Sequence, residues 1–145
     1  MPEKVLIIDG HSYRKKGRLC HALVDSYLKG CEAGGHAVRC IKVSQINFPL
    51  LRTKEEFESC QVPDDIEQAQ EAFRWCSHIL IVYPLWLGTM PSLLKGFFEQ
   101  VFRPGFAFDQ HSKGWPQGNL TGRSARIVVT MGMPGWVCRW IFWGA

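Results

Sequence analysis

Three short segments hold residues whose types and spacing suit chemistry: "DGHSYRKKGR" (9–18), "PLWLGTM" (84–90) and "TMGMPGW" (130–136). The first is a polar loop opening onto what reads as a helix, so free backbone N–H groups and the helix dipole favour an anion there. Gly17 permits close backbone approach, and His11 and Arg18 add charge-assisted donors; together they suit a phosphate. A solvated basic loop accounts for the same residues equally well, because exposed loops rich in Lys and Arg are common. The second and third segments offer apolar surface and amides. Trp86 and Leu87 can pack against a ring, the N–H groups of Leu87, Gly88 and Thr89 can meet its polar edge, and Gly132, between Met131 and Met133, can cover the other side. The competing use of such residues is to cap the core or fill a subunit interface. A phosphate loop beside an aromatic, amide-lined slot points to a flat phosphorylated cofactor, and FMN and FAD both qualify.

Other chemistries leave no comparable mark. There is no GxxxxGK[ST] or GxGxxG phosphate motif and no GxSxG elbow for a serine hydrolase. The five histidines (11, 21, 36, 78, 111) show no metal-ligand spacing; His21 reads as a helix-surface residue and His78 as a strand-start residue, and no metal is expected. Nothing favours a catalytic Cys/His pair. The six cysteines (20, 31, 40, 60, 76, 138) include no CxxC and read as reduced thiols used as small core residues. The net charge of +4 is mild, and apart from "RKKGR" (14–18) the basic residues are scattered, which argues against a nucleic-acid surface.

These loops need elements to hold them. A chain of 145 residues, 46% hydrophobic and 21% charged, is one globular domain's worth, read here as a single domain over 1–145. No apolar run reaches the length of a membrane span and the N-terminus lacks signal-peptide order, which makes a cytoplasmic location the expectation. "KVLIID" (4–9) is a continuous apolar run, as in a buried parallel strand. A helix follows over 18–31 and stops at Gly34 and Gly35, then a strand over 36–43 that alternates as an edge strand does. Residues 44–62 read as irregular. Pro63 and two Asp start a helix over 63–76, "HILIVYP" (78–84) reads as the central strand, and a helix runs from about Pro91 to Phe102. Gly96 inside that helix costs about 1 kcal/mol relative to Ala, which implies a close approach of the helix to backbone. "SARIVVT" (124–130) is a fourth strand.

The order β-α-β-α-β-α-β implies parallel strands with right-handed crossovers, hence an α/β sandwich. In such sheets ligands bind beyond the carboxyl ends of the strands, where all three segments fall. The fourth strand, apolar on both faces, is expected to be an unprotected edge, with a terminal β-α unit absent from this chain or supplied by another.

"YPLWLGTMPSLLKGFFEQVFRPGFAF" (83–108) with "LTGRSARIVVTMGMPGW" (120–136) closely resembles the flavodoxin-like NAD(P)H dehydrogenase (quinone) family. The resemblance implies a three-layer flavodoxin-like sandwich in which this chain shows strand order 2-1-3-4, the family's fifth strand being absent. It also implies bound FAD or FMN, NAD(P)H as co-substrate, and ping-pong hydride transfer through the flavin to a quinone-like acceptor. A homodimer with its sites at the subunit interface is implied too. Carried over by position, His11, Gly17, Arg18 and Leu19 match the phosphate loop. Pro84, Leu85, Trp86, Leu87, Gly88 and Thr89 match the isoalloxazine loop, and Thr130, Met131, Gly132 and Met133 the second flavin-contacting loop. Phe106 and Phe108 fall in a "PGFAF" stretch that lies near the acceptor pocket in such dimers. Where some relatives place Tyr and His after the fourth strand, this chain has Trp136, Cys138 and Trp140, so no catalytic acid or base is assigned. A flavin-binding accessory subunit without turnover and an inactive truncated paralogue remain open alternatives.

Overall fold

The strand "KVLIID" alternates its side chains between two separate cores, and this sets the layering. The computed structural model of the chain describes all residues except 16, 60, 109–117 and 142–145. In β1 (Lys4–Asp9) every residue after Lys4 is buried. Leu6 and Ile8 pack into one cluster with Ile66, Phe73, Leu94 and Phe97; Val5 and Ile7 pack into the other with Cys20, Val24, Leu80 and Val82. The chain runs on through α1 (Leu19–Ala33), β2 (Ala37–Lys42), a 3-10 turn (Val43–Gln45), α2 (Lys54–Ser59) and α3 (Asp64–Trp75). It continues with β3 (His78–Pro84), α4 (Ser92–Val101), β4 (Ser124–Thr130) and α5 (Gly135–Ile141). All pairings are parallel and the order is β2-β1-β3-β4. Helix α1 thus covers one face, and α3 with α4 the other.

β1 and β3 share the interior of the sheet, and β1 is the more completely buried. β4 is an outer strand whose first four residues are exposed, Ile127 to 58%. The stretch 44–59 is more ordered than its sequence suggests. Thr53 Oγ1 accepts the N–H of Glu56, and the Glu56 carboxylate accepts that of Arg52, so a Thr-x-x-Glu cap starts α2. Helix α5 likewise follows β4 where no element was expected. Cys60, His111 and the side chain of Cys138 lie outside the described residues. Cys20, Cys31, Cys40 and Cys76 are free thiols; Cys20, Cys31 and Cys76 are buried, which raises the pKa of each, whereas Cys40, on the outer strand β2, is exposed and not the core residue expected. Among the described residues, no helix is long and apolar enough to cross a membrane.

Two close contacts tie the layers together. A Cβ on Gly96 would sit 2.6 Å from Leu50 Cδ2, so the near neighbour of that helix is the end of a side chain and not backbone. Arg123, just before β4, donates to the carbonyls of Phe73, Arg74 and Thr121 (2.9, 2.9 and 3.3 Å), satisfying acceptors that the end of α3 leaves without helical partners.

Candidate functional site

β1, β3 and β4 run parallel and in register, so their carboxyl ends deliver the three loops to one edge. Pro84 lies opposite Thr130, and the Leu85 N–H donates to the Thr130 carbonyl (2.7 Å), locking the second loop to the third. Gly10 donates to the Val82 carbonyl (2.8 Å), which ties the first loop to β3.

The second loop is a tight hairpin. Trp86 N–H donates to the Thr89 carbonyl (2.8 Å) and Thr89 N–H to that of Trp86 (3.0 Å). The two tip residues, Leu87 and Gly88, have φ of 49° and 79°, the sign pattern of a type I′ turn. Leucine is a poor choice at positive φ, and Leu87 is fully exposed, so its own packing does not explain its presence. The expectation for Thr89 needs correction: its N–H is consumed inside the turn, which leaves the N–H groups of Leu87 and Gly88 to meet a ring. Trp86 is 48% exposed, and its indole meets the imidazole of His11 edge to face at 6.2 Å. Met131 and Met133 are also exposed, and Gly132 has open space around its Cα.

The first loop is pinned by its own side chains. His11 Nδ1 accepts the N–H of Tyr13 (3.0 Å), so Nε2 carries the ring's proton and is the donor available to a ligand. Burial first, then the neighbouring His21, lowers the pKa of His11, which keeps the ring neutral near pH 7. Gly17 takes φ of 104° with nothing near its Cα, and Arg18 is the N-cap of α1 with no side-chain cap. The first N–H groups of α1 therefore point into the loop without an acidic side chain to receive them. The Arg18 guanidinium lies over the Tyr13 ring at 5.3 Å, and Leu19 is exposed beside it.

A family model described as "Flavodoxin-like fold" matches residues 3–139. The chain belongs to this flavodoxin-like family. It is 35% identical over 89 residues to a ribosyldihydronicotinamide dehydrogenase-like protein of Penicillium crustosum, covering 57% of this chain and 33% of that protein. It is 27% identical over 135 residues to an FMN-dependent NADH:quinone oxidoreductase of Nitratidesulfovibrio vulgaris, covering 81% of this chain and 64% of the other. The match thus spans a third to two-thirds of the length of these relatives. The solved NAD(P)H:quinone oxidoreductase of Methanothermobacter marburgensis superposes with a TM-score of 0.76 at 17% identity, covering 99% of this chain and 79% of that one, a likeness of fold.

Within this flavodoxin-like frame the "PGFAF" phenylalanines stand apart from the loop cluster. Phe106 is buried in the α3–α4 core with the Arg74 guanidinium 4.8 Å from its ring, and Phe108 is half-buried between bridges to Pro104 and Gly118. Two residues missed by sequence reasoning belong to the site. Asp9, almost wholly buried, accepts the His11 N–H (3.2 Å), and its other oxygen lies 2.6 Å from His21 Nδ1. His21 is therefore an inward-facing partner rather than a helix-surface residue. The available signal was its place in the first turn of α1, beside the face that carries Cys20 and Val24 inward. Among the described residues no group of His, Cys, Asp or Glu is arranged to hold a metal ion.

Proposed function

We propose that this chain is the flavin-binding domain of an FMN-dependent NAD(P)H:quinone oxidoreductase. The observation that carries the reading is the convergence of a phosphate-type donor set and an exposed aromatic turn at one sheet edge, with His11 and Trp86 in ring contact. The donor set fits one phosphate: the Nε2–H of His11, the free N–H groups at the start of α1, the open Gly17 turn and the Arg18 side chain. Trp86 and Leu87 supply a flat apolar wall, and the N–H groups of Leu87 and Gly88 face whatever lies on it. Thr130, Met131, Gly132 and Met133 flank the same surface, and Pro84 and Leu85 anchor it to the sheet. When bound, the flavin supplies the redox chemistry, passing two electrons from NADH or NADPH to a quinone-like acceptor.

FMN is preferred to FAD because the residues present account for one ring system and one phosphate, and because a relative carries FMN in its name. The protein's own work is to orient the ring, hold the phosphate with donors already fixed in place, and exclude water from the stacked face. The reading includes a homodimer in a cytoplasmic setting. A second copy covering Trp86, Leu87, Trp136 and Trp140 removes a large exposed apolar surface, and Phe108 would then serve a pocket shared between copies.

The test is direct. Titration with FMN, followed by flavin fluorescence, should show saturable binding, and the complex should oxidise NADH or NADPH only when a benzoquinone is present. A folded protein that binds neither FMN nor FAD would overturn the reading; binding without turnover would reduce it to flavin binding alone.

A further inference from the structure

We propose that His21 is a positioning residue that supplies the counter-charge for the phosphate loop, making retention of a phosphorylated flavin depend on the Asp9–His21 pair. The inference rests on the FMN reading and deepens it. A buried carboxylate is an unexpected neighbour for an anion site, yet Asp9, 2% exposed, lies directly under the loop and accepts the N–H of His11. Left as a bare negative charge, it would repel a phosphate and carry a large desolvation cost.

His21 answers both problems by geometry. Its Nδ1 lies 2.6 Å from Asp9 Oδ2, and its Nε2 lies 3.1 Å from the carbonyl of Tyr13. A carboxylate and a carbonyl only accept hydrogen bonds, so both contacts are satisfied only when each ring nitrogen carries a proton. The imidazolium cancels the Asp9 charge and braces the two ends of the 9–13 turn. His11, which sits between those ends, is thereby held with Nδ1 on Tyr13 N–H and Nε2 outward.

Among the described residues, His21 is the one side chain within ion-pair distance of Asp9. The His11 ring, 5.1 Å away, is kept neutral. The cavity beside the pair, about 60 Å3, has room for little more than water and is also lined by Arg14, Asp25 and Lys42. Arg14 is committed to the Ser44 carbonyl at 2.7 Å. Asp25, from the same helix as His21, opposes Lys42 from the end of β2 in sign. The Cys20 thiol, on the first turn of α1, faces Thr130 and is held protonated by burial.

Removing the His21 cation therefore leaves Asp9 uncompensated and releases Tyr13. His21→Gln should bind FMN on the order of ten-fold more weakly than the parent, whereas riboflavin, which has the ring without the phosphate, should bind the two alike. Asp9→Asn placed in that variant should recover FMN affinity. A merely structural role for the pair predicts a further loss in the double variant. Equal losses of FMN and riboflavin affinity in His21→Gln, or no recovery in the double variant, would overturn the inference. So would nitrogen-15 NMR of the flavin-free protein showing His21 with a single ring proton at pH 7, whatever the fate of the flavin reading. Failure of FMN and riboflavin alike to bind the parent would overturn that reading and the inference with it.

Discussion

The imidazole of His11 and the indole of Trp86 meet edge to face, centroids 6.2 Å apart and planes at 82°, although they stand on loops that leave different strands. The 9–18 loop and the aromatic turn are thus one surface. Such a ring pair contributes about 0.5–1.5 kcal/mol beyond burial, and Trp86 is half exposed. Trp86→Ala should lower stability by only about 1 kcal/mol while weakening FMN binding on the order of ten-fold, and Trp86→Phe should recover most of the binding. Parallel thermal melts and FMN titrations separate the two effects.

Leu87 is held at φ of 49° with its side chain fully in solvent, so the fold gains nothing from it that offsets the backbone strain. Leu87→Asn produces the Asn-Gly pair that this turn type prefers. It should stabilise the protein by about 1 kcal/mol and raise the melting temperature by a few degrees. FMN affinity should drop at the same time, since the apolar wall is shortened. A variant both more stable and equally tight would remove Leu87 from the ligand surface.

Two glycines predict opposite outcomes for the same change. A Cβ on Gly10 would meet Tyr83 Cβ at 3.0 Å and the Val82 carbonyl at 3.1 Å, neither of which can retreat without moving β3. Gly10→Ala should therefore destabilise by about 1–3 kcal/mol. A Cβ on Gly96 meets the tip of Leu50, an exposed and rotatable side chain, at 2.6 Å and Phe48 Cε2 at an ordinary contact distance of 3.5 Å. There the helix-propensity gain of about 1 kcal/mol should win, leaving Gly96→Ala neutral or stabilising. Urea denaturation of the two variants decides the matter.

The lowered pKa of His11 has a definite sign in stability. Its neutral form is favoured by the fold, so as pH falls through the ordinary histidine range the unfolded chain takes up the proton first. The contribution of His11 is complete above about pH 6.5 and is lost as the pH falls below that value. His11→Asn retains an acceptor for the Tyr13 N–H and cannot titrate. Its denaturation midpoint should fall less steeply than the parent's between about pH 7 and pH 5.

Most of the fold was legible because hydrophobic periodicity carries it. The continuous runs at 4–9 and 78–84 became the two inner strands, and Gly34 with Gly35 ended α1. The short α2 was passed over, although Thr53 and Glu56 wrote its cap, because six residues with one aromatic give almost no periodic signal. The site was legible where single loops define it. The 9–18 loop and the aromatic turn were singled out from composition, but the consumption of the Thr89 N–H by Trp86 is a property of the turn geometry. The Asp9–His21 pair was invisible for a further reason: the last residue of a strand and the third of the next helix meet only after the crossover folds back.

The guanidinium of Arg123 reaches from the foot of β4 to the last carbonyls of α3, bypassing the whole connection from Phe102 to Gly122. The foot of the outer strand is thus tied to the end of α3 by a single side chain. Amide exchange in β4 should therefore follow the opening of the α3 terminus, and Arg123 makes these two margins a single cooperative unit.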